Sequence, residues 1–483
     1  MSKPLIKNFL TYGLGNIMYS LVTLTLIPFY LEKLNVIDYG NLTLFLIASN
    51  IVTIFFSINI SNGILRLFSD SEIQIDFKKV LFSVFIFFIV LLLITLIIVL
   101  FFDDFFSFLI FNNNEYSKFV YLTFLYGFFR ILFQTILGTF RAIEKVKIYV
   151  TLSLIDVILM ALINIYIVNY TDFKLSDVFK GYLIASSISL FICVIAIKDY
   201  FVISFEKKIL KYLLIYGIPL SFANILSYLI NYGNRFFLLH YVNAEKVAIF
   251  DVSQKISNVV GMLFVGAFLT SFTPYYLNSY NNDDFNLFEK KVNKVLINFT
   301  LVYFLFALFT IIADDYFLKL LSKNNYLDSS LYVSILILSN FMYVIFMIST
   351  LGTNILKTTK VEMYITIIAT LFSLIFNFIL ISNIELFGAA LSQLFVNIVT
   401  IIIMTSYNKK YFPVKFDWKT ILGILFYFIF VTIIDLFFKF NSIDFTIKIP
   451  IYIATIVGYI YLNKSFFYSY FIKGLSFVKL INK

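Results

Sequence analysis

Cysteine, histidine and tryptophan each occur once in 483 residues, as Cys193, His240 and Trp418. A lone cysteine forbids an intrachain disulfide, and its apolar surroundings read as those of a small core residue rather than a reactive thiol. A lone histidine excludes a histidine-rich metal site and any Ser-His-Asp triad. No G-x-x-x-x-G-K-[ST] run is present, so that nucleotide-binding signature is missing too. Charge is scarce, with only 13% of residues Asp, Glu, Lys or Arg. The connecting segments are short, and none is long enough for a soluble catalytic domain. Neither a metal nor an organic cofactor is expected, and the chain does not read as an enzyme.

What fills the chain is apolar: 61% of residues are hydrophobic and 20% aromatic, with a mean hydropathy of +0.95. A soluble surface carries far more charge than this. The fold class expected is an all-α polytopic membrane protein. Apolar runs of bilayer-spanning length number fourteen: 9–31, 39–62, 80–102, 117–139, 148–169, 177–197, 213–239, 247–273, 295–313, 327–351, 361–382, 386–407, 421–438 and 447–463. The opening MSKPLIKNFL leads into a run too long for a signal-peptide core and lacks an A-x-A cleavage site, so a retained first helix is expected.

The formal charge of +10 suits cytoplasmic loops better than a nucleic-acid surface. If the N-terminus is cytoplasmic, 25 basic residues fall on the inner side and nine on the outer, with Arg130, Arg235 and Lys255 left inside spans. That asymmetry places both termini in the cytoplasm.

An internal repeat is visible. GTFRAIEKVKIY from Gly138 is similar to GTNILKTTKVEMY from Gly352, Asp103-Asp104 corresponds to Asp314-Asp315, and Tyr12-Gly13 corresponds to Tyr216-Gly217. Each unit holds six spans, an even number, so both enter the membrane in the same direction. The expectation is two pseudo-symmetric six-helix lobes, 1–205 and 206–408, plus two further helices and a tail in 409–483, with a substrate path between the lobes. The recurring Asp-Asp pair reads as a rim that ends a helix.

Charges at bilayer depth are expensive and mark cavities, partners or ligands. Arg66 and Arg141 close spans two and four; Arg130 lies inside span four, Arg235 in span seven and Lys255 in span eight. A ladder of this kind suits a phosphate or diphosphate, because guanidinium offers a planar donor fork and keeps its charge when desolvated. A plainer reading stands beside it. Arg130 can pair with Asp156, Asp251 can neutralise Lys255 one turn away, and Arg66 and Arg141 can anchor helix ends at headgroups. Asp251 and Asp156 are thus candidates for pairing or ion coupling. Amides such as Asn62, Gln134, Gln254 and Asn397 can bind sugar hydroxyls or hold helices together. Gly217 with Pro219 reads as a bend, and so as a hinge.

The runs YGIPL (216–220), NRFFL (234–238), NAEKVAIF (243–250) and SQKIS (253–257) resemble the signature of Wzx-type polysaccharide flippases. So do NGILRLF (62–68), FRAIEKVKIY (140–149) and FGAALSQL (387–394). These flippases belong to the multidrug/oligosaccharidyl-lipid/polysaccharide exporter superfamily. The resemblance implies transfer of an undecaprenyl-diphosphate-linked oligosaccharide, an O-antigen or capsule repeat unit, from the cytoplasmic to the periplasmic leaflet of a bacterial inner membrane. It implies alternating access of two lobes about a cationic cavity, among membrane lipids, with a polysaccharide polymerase and a chain-length regulator as partners. Arg235, Lys255 and Arg66 match the family's basic positions; Asp251 stands where relatives often carry an aromatic residue, which implies a local ion pair. Two rivals remain. A cation-coupled multidrug antiporter of the same superfamily usually has twelve spans and an acidic site in its first lobe, whereas here span one ends with only Glu32 at its edge. A membrane-embedded polymerase or glycosyltransferase would need a substantial outer loop.

Overall fold

The computed structural model describes residues 25–69, 77–170, 174–260, 265–322, 326–356, 358–412, 414–441 and 445–464, with single positions 18, 22 and 443. Among these residues every regular element is helical and none is a strand. A bilayer offers no water to the backbone, so each span must satisfy its own N–H and C=O groups, which a helix does internally.

In chain order the helices are α1 (Val36–Ser57), α2 (Ile60–Ser69), α3 (Phe77–Phe111), α4 (Ser117–Ala142), α5 (Val146–Tyr170), α6 (Leu175–Ile197), α7 (Lys207–Tyr232), α8 (Asn234–Tyr241) and α9 (Ala244–Val260). They continue as α10 (Gly266–Asn282), α11 (Phe285–Ser322), α12 (Ser330–Ser349), α13 (Leu351–Ile355), α14 (Thr359–Phe376), α15 (Ser382–Tyr411), α16 (Trp418–Phe440) and α17 (Phe445–Leu462). Among the described residues, ten stretches are long and apolar enough to cross a membrane. The fourteen expected runs map onto them simply. The 52-residue stretch Lys360–Tyr411 contains two runs. Non-helical angles at Ile384 and Glu385 and the approach of Gly388 to the Leu380 carbonyl show the chain folding back there. Run 247–273 is divided between α9 and α10, each 17 residues long. The last is the shorter Ile447–Leu462, and most of 9–31, with Tyr12-Gly13, lies outside the described residues.

The chain forms two compact units. The first takes in Met1–Asp251, Leu321–Asn325 and Thr366–Ser392; the second takes in Val252–Leu320, Tyr326–Ile365 and Gln393–Lys483. The division 1–205, 206–408 and 409–483 describes internal sequence similarity and is kept as a proposal.

In the first unit α4 is the central helix, packed against α1, α2, α3, α5 and α6. Two of its buried hydroxyls are satisfied within the helix: Thr135 donates to the Ile131 carbonyl and Thr139 to that of Thr135. This lets polar side chains sit in an apolar interior without a second helix to pair with. Cys193 is buried in an apolar cluster with Leu81, Phe133 and Ile136.

Left-handed backbone at Ile58 and Asn59 (φ 47° and 49°) separates α1 from α2. This corner presses on α7, where the Ser221 hydroxyl donates to the Ile54 carbonyl at 2.7 Å. A Cβ at Gly217 would stand 1.9 Å from the Ile58 carbonyl oxygen. Gly217 is thus a position of close backbone approach. The helix runs through both Gly217 and Pro219, and Gly233, between α7 and α8, also keeps helical angles (φ −61°, ψ −30°). Gly217→Ala is expected to lower stability by about 1–3 kcal/mol, the usual range for overpacking. A melting temperature in detergent equal to the parent's would contradict this packing.

In the second unit α11 and α12 are joined through the Tyr303 hydroxyl, which donates to the Ile337 carbonyl. The Asn397 amide donates to the carbonyl and hydroxyl of Ser339, both at 3.0 Å. This is the helix-joining role that sequence offered as one reading of the buried amides.

Candidate functional site

The first unit holds a cavity of about 410 Å³ between α2, α4 and α5. Helical spacing builds its walls. Arg130, Gln134 and Arg141 are i, i+4 and i+11 on α4, while Tyr149, Ser153 and Asp156 are i, i+4 and i+7 on α5, so each trio shares one face. The left-handed corner before α2 brings Asn59 and Asn62 to the same space, where the Asn62 amide donates to the Asn59 side-chain oxygen at 2.8 Å.

Five residues singled out in the sequence therefore meet here: Arg130, Arg141, Asp156, Asn62 and Gln134. Arg130 Nη1 donates to Asp156 Oδ2 at 2.6 Å, with the two side chains 13% and 1% exposed. The Arg130 guanidinium also lies 5.0 Å from the Phe133 ring centre. Arg141 Nη2 donates to Asn62 Oδ1 at 2.8 Å. The pairing of Arg130 with Asp156 and the cavity position of both are true together.

Two atoms at this cavity lack partners. Arg141 Nε is a buried donor and Asp156 Oδ1 a buried acceptor, and neither makes a hydrogen bond. An unmade bond of either kind leaves a desolvation penalty of roughly 1–3 kcal/mol. A ligand offering an anionic oxygen and a hydroxyl would satisfy both.

The other candidates lie elsewhere. Arg235 on α8 is fully buried between the rings of Tyr232 and Phe250, 5.2 and 4.9 Å from their centres. Its Nη1 donates to the Asn231 carbonyl and the Asn234 side chain, and its Nη2 lies 3.6 Å from Asp251 Oδ1. Tyr39 and Thr43 of α1 donate to the other oxygen of Asp251. Arg235 and Asp251 thus form an enclosed pair, and neither lines the cavity between α2, α4 and α5. Arg66 is exposed and lies 4.6 Å from the centre of the Tyr216 ring, joining α2 to α7. Lys255, one turn beyond Asp251 on α9, is partly buried and belongs to the second unit.

Sequence reasoning missed an ion cluster in the second unit. Lys439 of α16 donates to Asp314 of α11 at 2.6 Å, to Asp435 at 2.9 Å and to the Ser330 carbonyl at 2.9 Å. The Tyr452 hydroxyl donates to Asp435 at 2.7 Å, and Lys448 of α17 reaches Asp315 at 3.3 Å. The Asp-Asp pair does not end a helix, since α11 continues to Ser322. It holds the two C-terminal helices instead. The signal was available in two lysines, Lys439 at the edge of run 421–438 and Lys448 inside run 447–463, but Asp314-Asp315 is over a hundred residues away.

This arrangement of helices is shared with solved membrane proteins. The family model MatE matches residues 219–379, about a third of the chain. No curated protein matches the chain by sequence. The lipid II flippase MurJ, solved in an inward closed conformation, aligns with a TM-score of 0.70 at 18% identity over 97% of this chain and 100% of its own. An inward-facing multidrug resistance MATE transporter of the MOP superfamily aligns with a TM-score of 0.66 at 14% identity over 82% of this chain and 94% of its own. A MOP superfamily transporter from Pyrococcus furiosus gives 0.56 at 14% identity, over 83% and 95%. The chain has the fold that these multi-pass membrane proteins share.

Proposed function

We propose that this protein is a flippase that carries an undecaprenyl-diphosphate-linked oligosaccharide from the cytoplasmic to the periplasmic leaflet of a bacterial inner membrane. Cargo would be taken by alternating access and used for surface polysaccharide. The observation that carries this reading is the cavity between α2, α4 and α5. It holds two guanidiniums, an unpartnered donor at Arg141 Nε and an unpartnered acceptor at Asp156 Oδ1. Phosphate oxygens suit the first and sugar hydroxyls the second. The likeness to a lipid II flippase over the full length of that chain, C-terminal helices included, supports the same reading. An anion leaving an inside-negative cell gains about 2.3 kcal/mol per charge per 100 mV, so a diphosphate cargo needs no nucleotide. Arg66, Arg235 and Lys255 remain candidate contacts along the route.

The MatE match favours a second reading, a cation-coupled multidrug antiporter. The two separate in one experiment on purified protein in liposomes. Transfer of a labelled polyprenyl-diphosphate oligosaccharide is expected for the parent. Arg141→Ala is expected to slow it about ten- to a hundredfold, since a hydrogen bond to a charged group is worth roughly 1.5–3 kcal/mol. Absence of transfer by the parent, with cation-driven drug uptake in its place, would establish the antiporter.

A further inference from the structure

The internal repeat pairs α3 with α11 at an offset of 211, and the two helices differ in one respect. In α11, the Leu301 carbonyl accepts the Tyr459 hydroxyl, and Phe304 packs on Tyr459 and Phe428 with ring centres 4.3 and 5.1 Å apart. Asp314 and Asp315 receive Lys439 and Lys448. The helices α16 and α17 therefore cover this face, and Leu301 and Phe304 are 3% and 1% exposed. The corresponding residues of α3 are Val90 and Leu93, which are 49% and 56% exposed, followed by the exposed Ile97 and Phe101. Val90, Leu93, Ile97 and Phe101 are i, i+3, i+7 and i+11, one continuous stripe. Just past a kink at Phe102 stands Asp103-Asp104, and among the described residues neither carboxylate is in an ion pair.

We infer that this stripe and its acidic end form a docking surface for a transmembrane helix of another membrane protein, one carrying a lysine or arginine level with Asp103-Asp104. Acyl chains cover an apolar stripe well but give two carboxylates no counter-charge. In the other repeat the same acidic pair is answered by lysines on transmembrane helices, which sets the chemistry of the occupant. A second copy of this chain fits poorly. A symmetric contact would bring the same patch to itself, with Asp103-Asp104 facing its equivalent, and Lys439 and Lys448 are already held within their own unit. The inference does not depend on what the protein transports.

A photo-crosslinking residue at Leu93 or Phe101 of the full chain, in native membranes, tests it, with Phe191 on α6 as the lipid-facing control (66% exposed). The expected result is an adduct from Leu93 and Phe101, absent from Phe191, whose cross-linked peptide is a transmembrane helix with a basic residue in its end turn. Asp103→Lys with Asp104→Lys is expected to reduce the adduct about tenfold or more, and changing the partner's base to Glu is expected to restore it. Asp104 is exposed and Asp103 half-buried, so a melting temperature measured beside the crosslink checks that the variant chain stays folded. Adducts to lipid alone, to a second copy of this chain, or to a protein whose yield ignores the charge reversal would each overturn the proposal.

Discussion

Lys439→Met is expected to destabilise the second unit by about 3–5 kcal/mol, the range for removing one partner of a buried ion pair. The substitution keeps the length of the apolar stem and removes the charge. Asp314 and Asp435 are then left 1% and 0% exposed, close together and without an ammonium. The origin of the effect is the cost of uncompensated charge in a low-dielectric interior rather than the net worth of the bridge. That distinction gives a second expected result. Adding Asp314→Asn and Asp435→Asn to Lys439→Met should recover most of the loss, because a neutral cluster carries no such penalty. Trp418 is the lone tryptophan and opens α16, so its fluorescence reports directly on the helix that Lys439 holds. Thermal unfolding of Lys439→Met at the parent temperature would remove the cluster from the account of how α16 and α17 are fastened.

Arg130→Ala carries the second large effect, and it acts on two quantities at once. It leaves Asp156 buried without its cation, at about 3–5 kcal/mol, and it removes a guanidinium from the cavity. Arg130→Ala with Asp156→Ala separates these. Stability should return, since neither charge remains, while transfer of the diphosphate-linked cargo should stay impaired about tenfold or more. A double variant that both folds and transports like the parent would make the pair a structural bridge only. Melting temperature and liposome transfer, measured on the same preparations, decide it.

The legible part of the protein was the part written in local composition. Runs of Phe, Ile and Leu identify the spans, and the repeat GTFRAIEKVKIY against GTNILKTTKVEMY is visible without coordinates. Arg130 with Asp156 was open to sequence because their helices follow one another along the chain. Arg235 was legible as a costly charge, but its enclosure between Tyr232 and Phe250 was not. Gly217 was legible as an unusual residue in a helix, yet its reason is a carbonyl at Ile58, in the corner between α1 and α2, far away in the chain. Asp314-Asp315 was read as the end of a helix, since nothing within the next hundred residues reveals the lysines that it receives.

By itself the sequence determined that the chain lies in a membrane, that its elements are helices and roughly where each begins. Apolar length and the need to satisfy the backbone in lipid are properties of one segment at a time. Only the tertiary structure decided which charges meet. Arg141 reaches Asn62 and Lys439 reaches Asp314 because particular helices cross at particular heights, and that geometry is set by packing between segments that no local pattern connects.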